Sequence, residues 1–185
     1  MSSAVARAEE FFQALCASGP EARLAARMTL YDRVLGDWSL EVVDHAADGS
    51  QRVSHGEVHF AWVLEGRAIQ DVWIVPSREA RGPDLPRQGN RYGTTLRVYD
   101  PAADVWRITW INPVTSAVNQ LLGRREGDDI VQEGAGADGS SIRWSFREIT
   151  PTSFRWFGEI SKDGGATWQL QTEFRGRRQG AAAAP

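Results

Sequence analysis

Asp71, Arg97, Tyr99 and Asn112 are the polar residues of this chain whose types and spacing could bind or transform a small molecule. Arg97 and Tyr99 are two residues apart, so on a β-strand their side chains point to the same side. A guanidinium can bind a carboxylate through two parallel hydrogen bonds, and the phenol would add a third donor. Asp71 could instead pair with Arg97, or act as a general acid or base. These residues therefore predict a ligand-binding site, a catalytic site or a structural ion pair.

Aromatic residues accompany these polar residues in the predicted strands. Directly paired residues of a hairpin lie on the same face of the sheet, so the turns indicate which side chains share a face. The turn at residues 65–66 pairs Phe60 with Asp71, and the later hairpins pair Trp144 with Trp156 and Trp156 with Thr172. These assignments collect most of the tryptophans on one face, and those taken as candidate binding residues are Trp73, Trp106, Trp110, Trp144 and Trp156.

The direction of Arg97 depends on the length of one turn. A four-residue loop pairs Tyr99 with Trp106, whereas a five-residue loop sets Arg97 directly against Arg107. Like charges directly opposite each other are destabilising, which favours the four-residue loop and an inward Arg97. Symmetric pairing with the preceding strand then places Asp71 opposite Arg97. Because a buried arginine needs a partner, we expect these two residues to form an ion pair.

The overall composition is typical of a folded domain. The 185 residues are 42% hydrophobic and 24% charged, and the net charge of −3 argues against a nucleic-acid partner. Cys16 is the only cysteine, which excludes an intrachain disulfide or a cysteine-based zinc site. No apolar run approaches the roughly 18 residues of a membrane span, and no secretory signal is apparent. We therefore expect a cytoplasmic protein with no membrane partner.

The hydrophobic pattern predicts two short helices followed by many strands. Helices are expected at residues 4–17 and from Pro20 to about Leu35. Ten strands are then expected at 38–43, 52–62, 67–75, 91–99, 105–112, 117–124, 129–134, 140–149, 153–161 and 167–175. Short turns leave no room for crossover helices, so the strands must be antiparallel, and closing the sheet removes its edges. The prediction is a mainly β, up-and-down barrel with a helical cap (1–35), a barrel (36–178) and a disordered tail (179–185).

Three segments resemble a known group of proteins. YDRVLGDWSL (31–40), LEGRAIQDVWIV (64–75) and the hairpin YGTTLRVYDP…WRITWINP (92–113) are similar to an uncharacterised bacterial group of lipocalin-like, or calycin, barrels. The resemblance covers roughly residues 30–178 and implies a lipocalin- or fatty-acid-binding-protein-like barrel, but no catalytic motif. Gly36-x-Trp38 is also how lipocalins begin. Arg97-x-Tyr99 resembles the pair that holds a ligand carboxylate in intracellular lipid-binding barrels, although there the pair lies near the C-terminal end.

Two further motifs have a structural interpretation. His55-x-Glu57-x-His59 places its histidines on one strand face, but about 13 Å apart, too far to share a metal ion. We therefore expect no metal site. The segment from Ser161 to Trp168 matches the Asp-box of sialidases, whose Ser and Asp side chains fold onto a hairpin turn.

The leading hypothesis is a barrel that binds a small hydrophobic or amphipathic ligand without a cofactor. The candidate binding residues are Asp71, Trp73, Arg97, Tyr99, Trp106, Trp110, Asn112, Trp144 and Trp156. One alternative is a cofactor-independent cyclase, isomerase or hydratase that uses Asp71 and Tyr99 as acid and base. Another alternative is an interaction module whose barrel is solid. Outward apolar residues could support a homodimer, and these are Val72, Ile74, Leu96 and Val98.

Overall fold

Ten antiparallel strands form a closed barrel in the computed structural model, which describes residues 3–87 and 89–180. The strands are β1 (Gly36–His45), β2 (Gln51–Val63), β3 (Ala68–Val75), β4 (Arg91–Asp100), β5 (Val105–Asn112), β6 (Ala117–Glu126), β7 (Asp129–Ala135), β8 (Ser141–Arg147), β9 (Ser153–Ser161) and β10 (Gln169–Arg178). Each pairs with its neighbours in the sequence, and β1 pairs with β10. The mainly β, up-and-down barrel predicted from the short turns is confirmed.

The N-terminal segment contains one α-helix rather than two. Helix α1 (Ser3–Leu15) forms where a helix was predicted, and most of its side chains are exposed. The second predicted helix is wrong, because that segment forms 3₁₀ helices at Ala25–Arg27 and Thr29–Val34. Met28, Tyr31 and Val34 are fully buried and three residues apart. Residues three apart share one face of a 3₁₀ helix, so the tighter helix lets all three point into the barrel.

Residues 28–34 cover one end of the barrel and are called the plug. Trp38 at the start of β1 donates its indole N–H to the carbonyl of Val34 at 2.8 Å. Arg178 at the end of β10 lies over the Trp38 ring at 4.1 Å and donates to the carbonyls of Leu35 and Arg33. The first and last strands are therefore tied to each other and to the plug. Buried residues of the plug belong to the same hydrophobic core as the strands. The division of the chain at residue 35 stays a prediction.

The remaining parts of the predicted domain plan are only partly visible. Residues 181–185 of the predicted tail lie outside the described residues, whereas the Gln179 amide donates to the Asp37 carbonyl at 2.9 Å. Among the outward apolar residues, Val98 is 40% exposed, but Ile74 is only 2% exposed. The homodimer stays a prediction.

Two of the predicted registers are confirmed. Phe60 pairs with Asp71 across β2 and β3, as the 65–66 turn indicated. Tyr99 pairs with Trp106 across β4 and β5, which is the register of the four-residue loop. Arg97 therefore points into the barrel, where its side chain is 2% exposed. Avoiding the Arg97–Arg107 contact was the correct criterion for this hairpin.

The register between β3 and β4 is wrong by two residues. Asp71 lies opposite Thr95 rather than Arg97, and Arg97 lies opposite Ile69. The long connection from Ser77 to Asn90 left this pairing without a turn to fix it. A shift of two residues keeps every side chain on its predicted face. Asp71 and Arg97 consequently remain diagonal neighbours inside the barrel.

Two later registers are also shifted by two residues. Trp144 pairs with Gly158 rather than Trp156. The amides of Thr152 and Ser153 donate to the Thr150 hydroxyl in the turn between β8 and β9, and the centre of this turn lies one residue later than predicted. In β10, an irregularity between Leu170 and Thr172 moves Thr172 opposite Gly158. Such a bulge adds one residue to one strand. Without the bulge, the pairing would differ from the prediction by one residue and Thr172 would point outward. The bulge makes the difference two residues, so Thr172 points to the inner face.

Candidate functional site

A cavity of about 280 Å³ lies inside the barrel, in the half opposite the plug. Its place follows from β1, which begins beside the plug at Trp38 and ends at the level of Thr172. We call that far end of the barrel the mouth. The cavity is lined by Trp73, Arg91, Thr95, Arg97, Trp110, Ile142, Trp144, Trp156, Gly158, Ile160, Gln171, Thr172 and Phe174.

Five of the residues that line the cavity are aromatic. Trp156 contacts Phe174 and Trp144, with ring centroids 4.8 and 5.7 Å apart. Trp144 in turn meets Trp110 edge-on at 6.4 Å. Trp73 lies 5.0 Å from Phe174 and 5.9 Å from Trp156, so the rings form one continuous surface. Such a surface suits an apolar or aromatic ligand, because aromatic pairs attract beyond the area they bury.

Two glycines provide the space that these rings occupy. A Cβ at Gly93 on β4 would come within 2.6 Å of the Trp110 ring. A Cβ at Gly158 on β9 would come within 2.9 Å of the Trp156 ring. A side chain at either glycine would therefore displace the ring beside it. Gly93 lies on the strand next to that of Trp110, whereas Gly158 and Trp156 lie on the same strand.

The Arg97–Asp71 ion pair lies at the inner end of the cavity. The Arg97 Nη1 donates to Asp71 Oδ2 at 2.5 Å, and the Thr95 amide donates to Asp71 Oδ1 at 2.7 Å. Both charged side chains are essentially buried, at 2% and 0% exposure. The guanidinium lies between the rings of Tyr31 and Phe60, at 5.0 and 5.6 Å from their centroids. Burial of this kind is tolerated only because each charge has its partner.

Tyr31 and Gln132 complete this cluster, and the sequence interpretation missed both. The Gln132 Oε1 accepts hydrogen bonds from the Tyr31 hydroxyl at 3.3 Å and from Arg97 Nε at 3.4 Å. Burial raises the pKa of Tyr31 far above its usual value, although the Arg97 cation lowers it in part, so the phenol stays neutral. Gln132 lies two residues after the buried Ile130 on β7, and residues two apart on a strand share a face, so the sequence pattern could have revealed it. Tyr31 had no such signal, because its position depends on the plug.

The predicted polar cluster is not assembled as one site. The Tyr99 hydroxyl donates to Asp104 at 2.5 Å in the β4–β5 turn. Asn112 donates to the Asn90 carbonyl at 3.2 Å and accepts from the Val114 amide. Expecting these two side chains beside Arg97 was wrong, because each satisfies a nearby turn instead. Neither Asp71 nor Tyr99 is among the residues that line the cavity, so their acid–base pairing stays a prediction.

The other predicted residues separate into two groups. Trp73, Arg97, Trp110, Trp144 and Trp156 line the cavity. Trp106 instead packs at the plug, with its ring centroid 5.1 Å from Tyr31 and 5.5 Å from Tyr99. Asp71 is covered by its partner and is not among the lining residues. The cavity is therefore smaller than the predicted inner face and lies nearer the mouth.

Arg91 stands at the mouth and was also missed. Its Nη2 donates to Asp44 Oδ1 at 2.6 Å and to the Thr172 hydroxyl at 3.2 Å, and its guanidinium lies 5.3 Å from the Phe174 ring centroid. Burial pushes the pKa of Asp44 upward, but hydrogen bonds from Arg91, Arg52 and Thr172 outweigh it and leave the pKa below its usual value. Arg91 precedes Arg97 by six residues, so the alternation of β4 predicts the same inward face.

A larger hollow, of about 790 Å³, lies on the outer surface of β1, β2 and β10. Its charges are largely paired with one another: Arg78 binds Glu57 at 2.9 Å, and Arg175 binds Glu41 at 2.6 Å. The hydrogen bonds from Arg78 lower the pKa of Glu57 to about 2. This open, self-paired surface offers less to a small ligand than the enclosed aromatic cavity.

Residues 3–87 and 89–180 contain no cluster of three or more His, Cys, Asp or Glu side chains placed to hold a metal ion. His59 instead lies against Asp37 at 2.6 Å and Glu57 at 3.2 Å. In these same residues, none of the helices has the length and apolar character needed to cross a membrane.

The Asp-box segment forms its turn, with Ser161 Oγ accepting from the Gly165 amide at 2.8 Å.

Comparison with known proteins supports the fold. No protein-family model matches the chain, and no curated protein matches its sequence. Among solved structures, the barrel is similar to an S-type phycobiliprotein lyase from Guillardia theta, with a TM-score of 0.51 and 14% sequence identity. The match covers 80% of this chain and 89% of the lyase chain. At this identity the likeness establishes a lipocalin-like, ten-strand antiparallel barrel.

Proposed function

We propose that this chain binds a small hydrophobic or amphipathic molecule inside its barrel, as a member of a bacterial group of lipocalin-like proteins. The observation that carries the proposal is the cavity wall of four tryptophans and Phe174 around about 280 Å³. Ligand pockets are concave and mostly apolar, with a few polar groups that fix orientation. The polar residues that line this cavity are Arg91, Thr95, Arg97, Gln171 and Thr172.

The size of the cavity limits the ligand. Typical small-molecule pockets have volumes of about 300–1,000 Å³, so this cavity lies near the lower limit. A one- or two-ring aromatic acid or a short fatty acid fits this volume better than a long polyprenoid. Since the similar barrel is a phycobiliprotein lyase, a linear tetrapyrrole also belongs among the probes.

Intrinsic fluorescence tests the proposal directly, because four of the eight tryptophans line the cavity. The protein is titrated with aromatic acids, fatty acids, polyprenoids and biliverdin, and saturable quenching is expected with at least one class. Trp110→Phe should reduce the amplitude, whereas Trp168→Phe should preserve the binding curve, since Trp168 stacks on Arg143 at 4.1 Å and is not a lining residue. No saturable change with any class would refute a binding function.

A further inference from the structure

The charges around the cavity are arranged asymmetrically. Arg91 and Arg97 are the charged residues among the described residues that line it, and neither of their carboxylate partners does so. Asp44 pairs with Arg91 from the outer side, and Asp71 is covered by Arg97. The positive member of each ion pair therefore faces the cavity. This orientation favours a ligand that carries a negative group.

Arg91 also lies at the boundary between two different spaces. A polar groove of about 390 Å³ outside the mouth shares Arg91, Gln171 and Thr172 with the cavity. The groove is further lined by polar and charged residues, including Ser50, Gln51, Arg52 and the Asp44 carboxylate, in contrast to the aromatic cavity wall. An amphipathic molecule could thus place its apolar body among the tryptophans and its head group beside Arg91.

Of the two arginines, Arg91 is better able to accept a new partner. Arg97 is 2% exposed and held between two rings, so removing it from Asp71 would leave a buried carboxylate unpaired. Arg91 is 21% exposed and Asp44 is 19% exposed, so water can reach both during an exchange. Asp44 would also keep the hydrogen bonds from Arg52 and Thr172 at 2.9 Å each.

We propose that Arg91 is a specificity-determining residue that binds the carboxylate, or a similar anionic head, of an amphipathic ligand whose apolar body occupies the cavity. This inference rests on the binding function proposed above. The ligand anion competes with Asp44 for the Arg91 guanidinium. Loss of the Asp44 charge should therefore strengthen anion binding, and loss of the Arg91 charge should weaken it.

A matched pair of probes separates charge from shape. Calorimetric titration compares 1-naphthaleneacetate with 1-naphthaleneacetamide, which differ in charge but hardly in size. We expect wild-type protein to bind the acid about tenfold more tightly, a difference of about 1.4 kcal/mol, because only the acid offers Arg91 a charged hydrogen-bond acceptor. Arg91→Met should bring the acid-to-amide affinity ratio near one, because it removes the charge that distinguishes the two probes. Arg107→Met is the control, because it removes an exposed guanidinium outside the barrel and should keep the wild-type ratio.

Asp44→Asn provides an independent test, and its folding is checked by circular dichroism beforehand. Its acid-to-amide ratio should exceed the wild-type ratio severalfold. Equal wild-type affinity for the two probes, a ratio that survives Arg91→Met, or an unchanged ratio in Asp44→Asn would overturn the role of Arg91 while leaving the binding function intact. If wild-type protein binds neither probe and no ligand class quenches its fluorescence, the binding function itself is overturned.

Discussion

The buried ion pair gives the strongest prediction for stability. Arg97→Met keeps an unbranched side chain between Tyr31 and Phe60 but removes the hydrogen bond to Asp71 Oδ2. Asp71 would then keep only the Thr95 amide while its side chain stays buried. Losing one member of a buried pair costs about 3–5 kcal/mol, because the remaining charge is uncompensated. That is a large share of a typical unfolding free energy of about 5–15 kcal/mol.

Urea unfolding followed by tryptophan fluorescence measures this loss. With a slope of about 2 kcal/mol per molar urea, the midpoint should fall by about 2 M. Arg107→Met is the matched control, because its pair with Asp100 is exposed on the arginine side and should contribute about 0–1 kcal/mol. A loss from Arg97→Met no larger than that of the control would refute the reasoning.

A double variant separates the charge from the packing. In Arg97→Met/Asp71→Asn, the amide oxygen can still accept from Thr95, but no buried charge remains. We expect about half of the lost stability to return, because removing both charges is far less costly than leaving one. A double variant that is less stable than Arg97→Met alone would show that the lost contacts of Arg97, and not the orphaned carboxylate, dominate.

Three further predictions concern other parts of the barrel. Gly93→Ala should cost about 1–3 kcal/mol and change the near-ultraviolet circular dichroism, because the new Cβ meets the Ile111 carbonyl oxygen and the Trp110 ring. Unchanged spectra and stability would contradict this packing. The depressed pKa of Glu57 stabilises the folded state above its ordinary value of 4.5, and this contribution is lost as the pH falls towards about 2; urea midpoints across this window should depend less on pH in Glu57→Gln. Arg178→Met should cost about 1–3 kcal/mol in urea unfolding, since it uncovers Trp38 and removes the donor to the carbonyls of Arg33 and Leu35. A change below about 0.5 kcal/mol would refute the tie between the first and last strands and the plug.

The architecture was predictable because its signals are local. Alternating apolar residues and short turns define ten strands, and strands joined by short turns can only be antiparallel. The inward direction of Arg97 followed from one local comparison, the cost of setting it against Arg107. Side-chain alternation also tolerates errors of two residues, which explains why Trp144 and Trp156 were assigned to the correct face in the wrong register.

The candidate site was only partly predictable because its boundaries are set by distant segments. Arg91 was within reach of the sequence, since it shares the inner face of β4 with Arg97. Tyr99 and Asn112 share that interior in the pattern as well, yet their side chains turn to Asp104 and to the Asn90 carbonyl. A face assignment gives the side of a strand, but it does not give the hydrogen-bond partner that a side chain selects.

The sequence by itself determined the closed antiparallel barrel, its aromatic interior and the inward ion pair, because period-two alternation and turn length act over a few residues. Only the tertiary structure decided which part of the interior is open. The plug brings Tyr31 to Gln132, 101 residues away along the chain, and covers one end of the barrel. The bulge in β10 returns Thr172 to the inner face beside Arg91. The Tyr31–Gln132 contact and the position of Thr172 beside Arg91 both depend on segments that are far apart in the sequence. Local periodicity does not indicate which of their side chains are in contact.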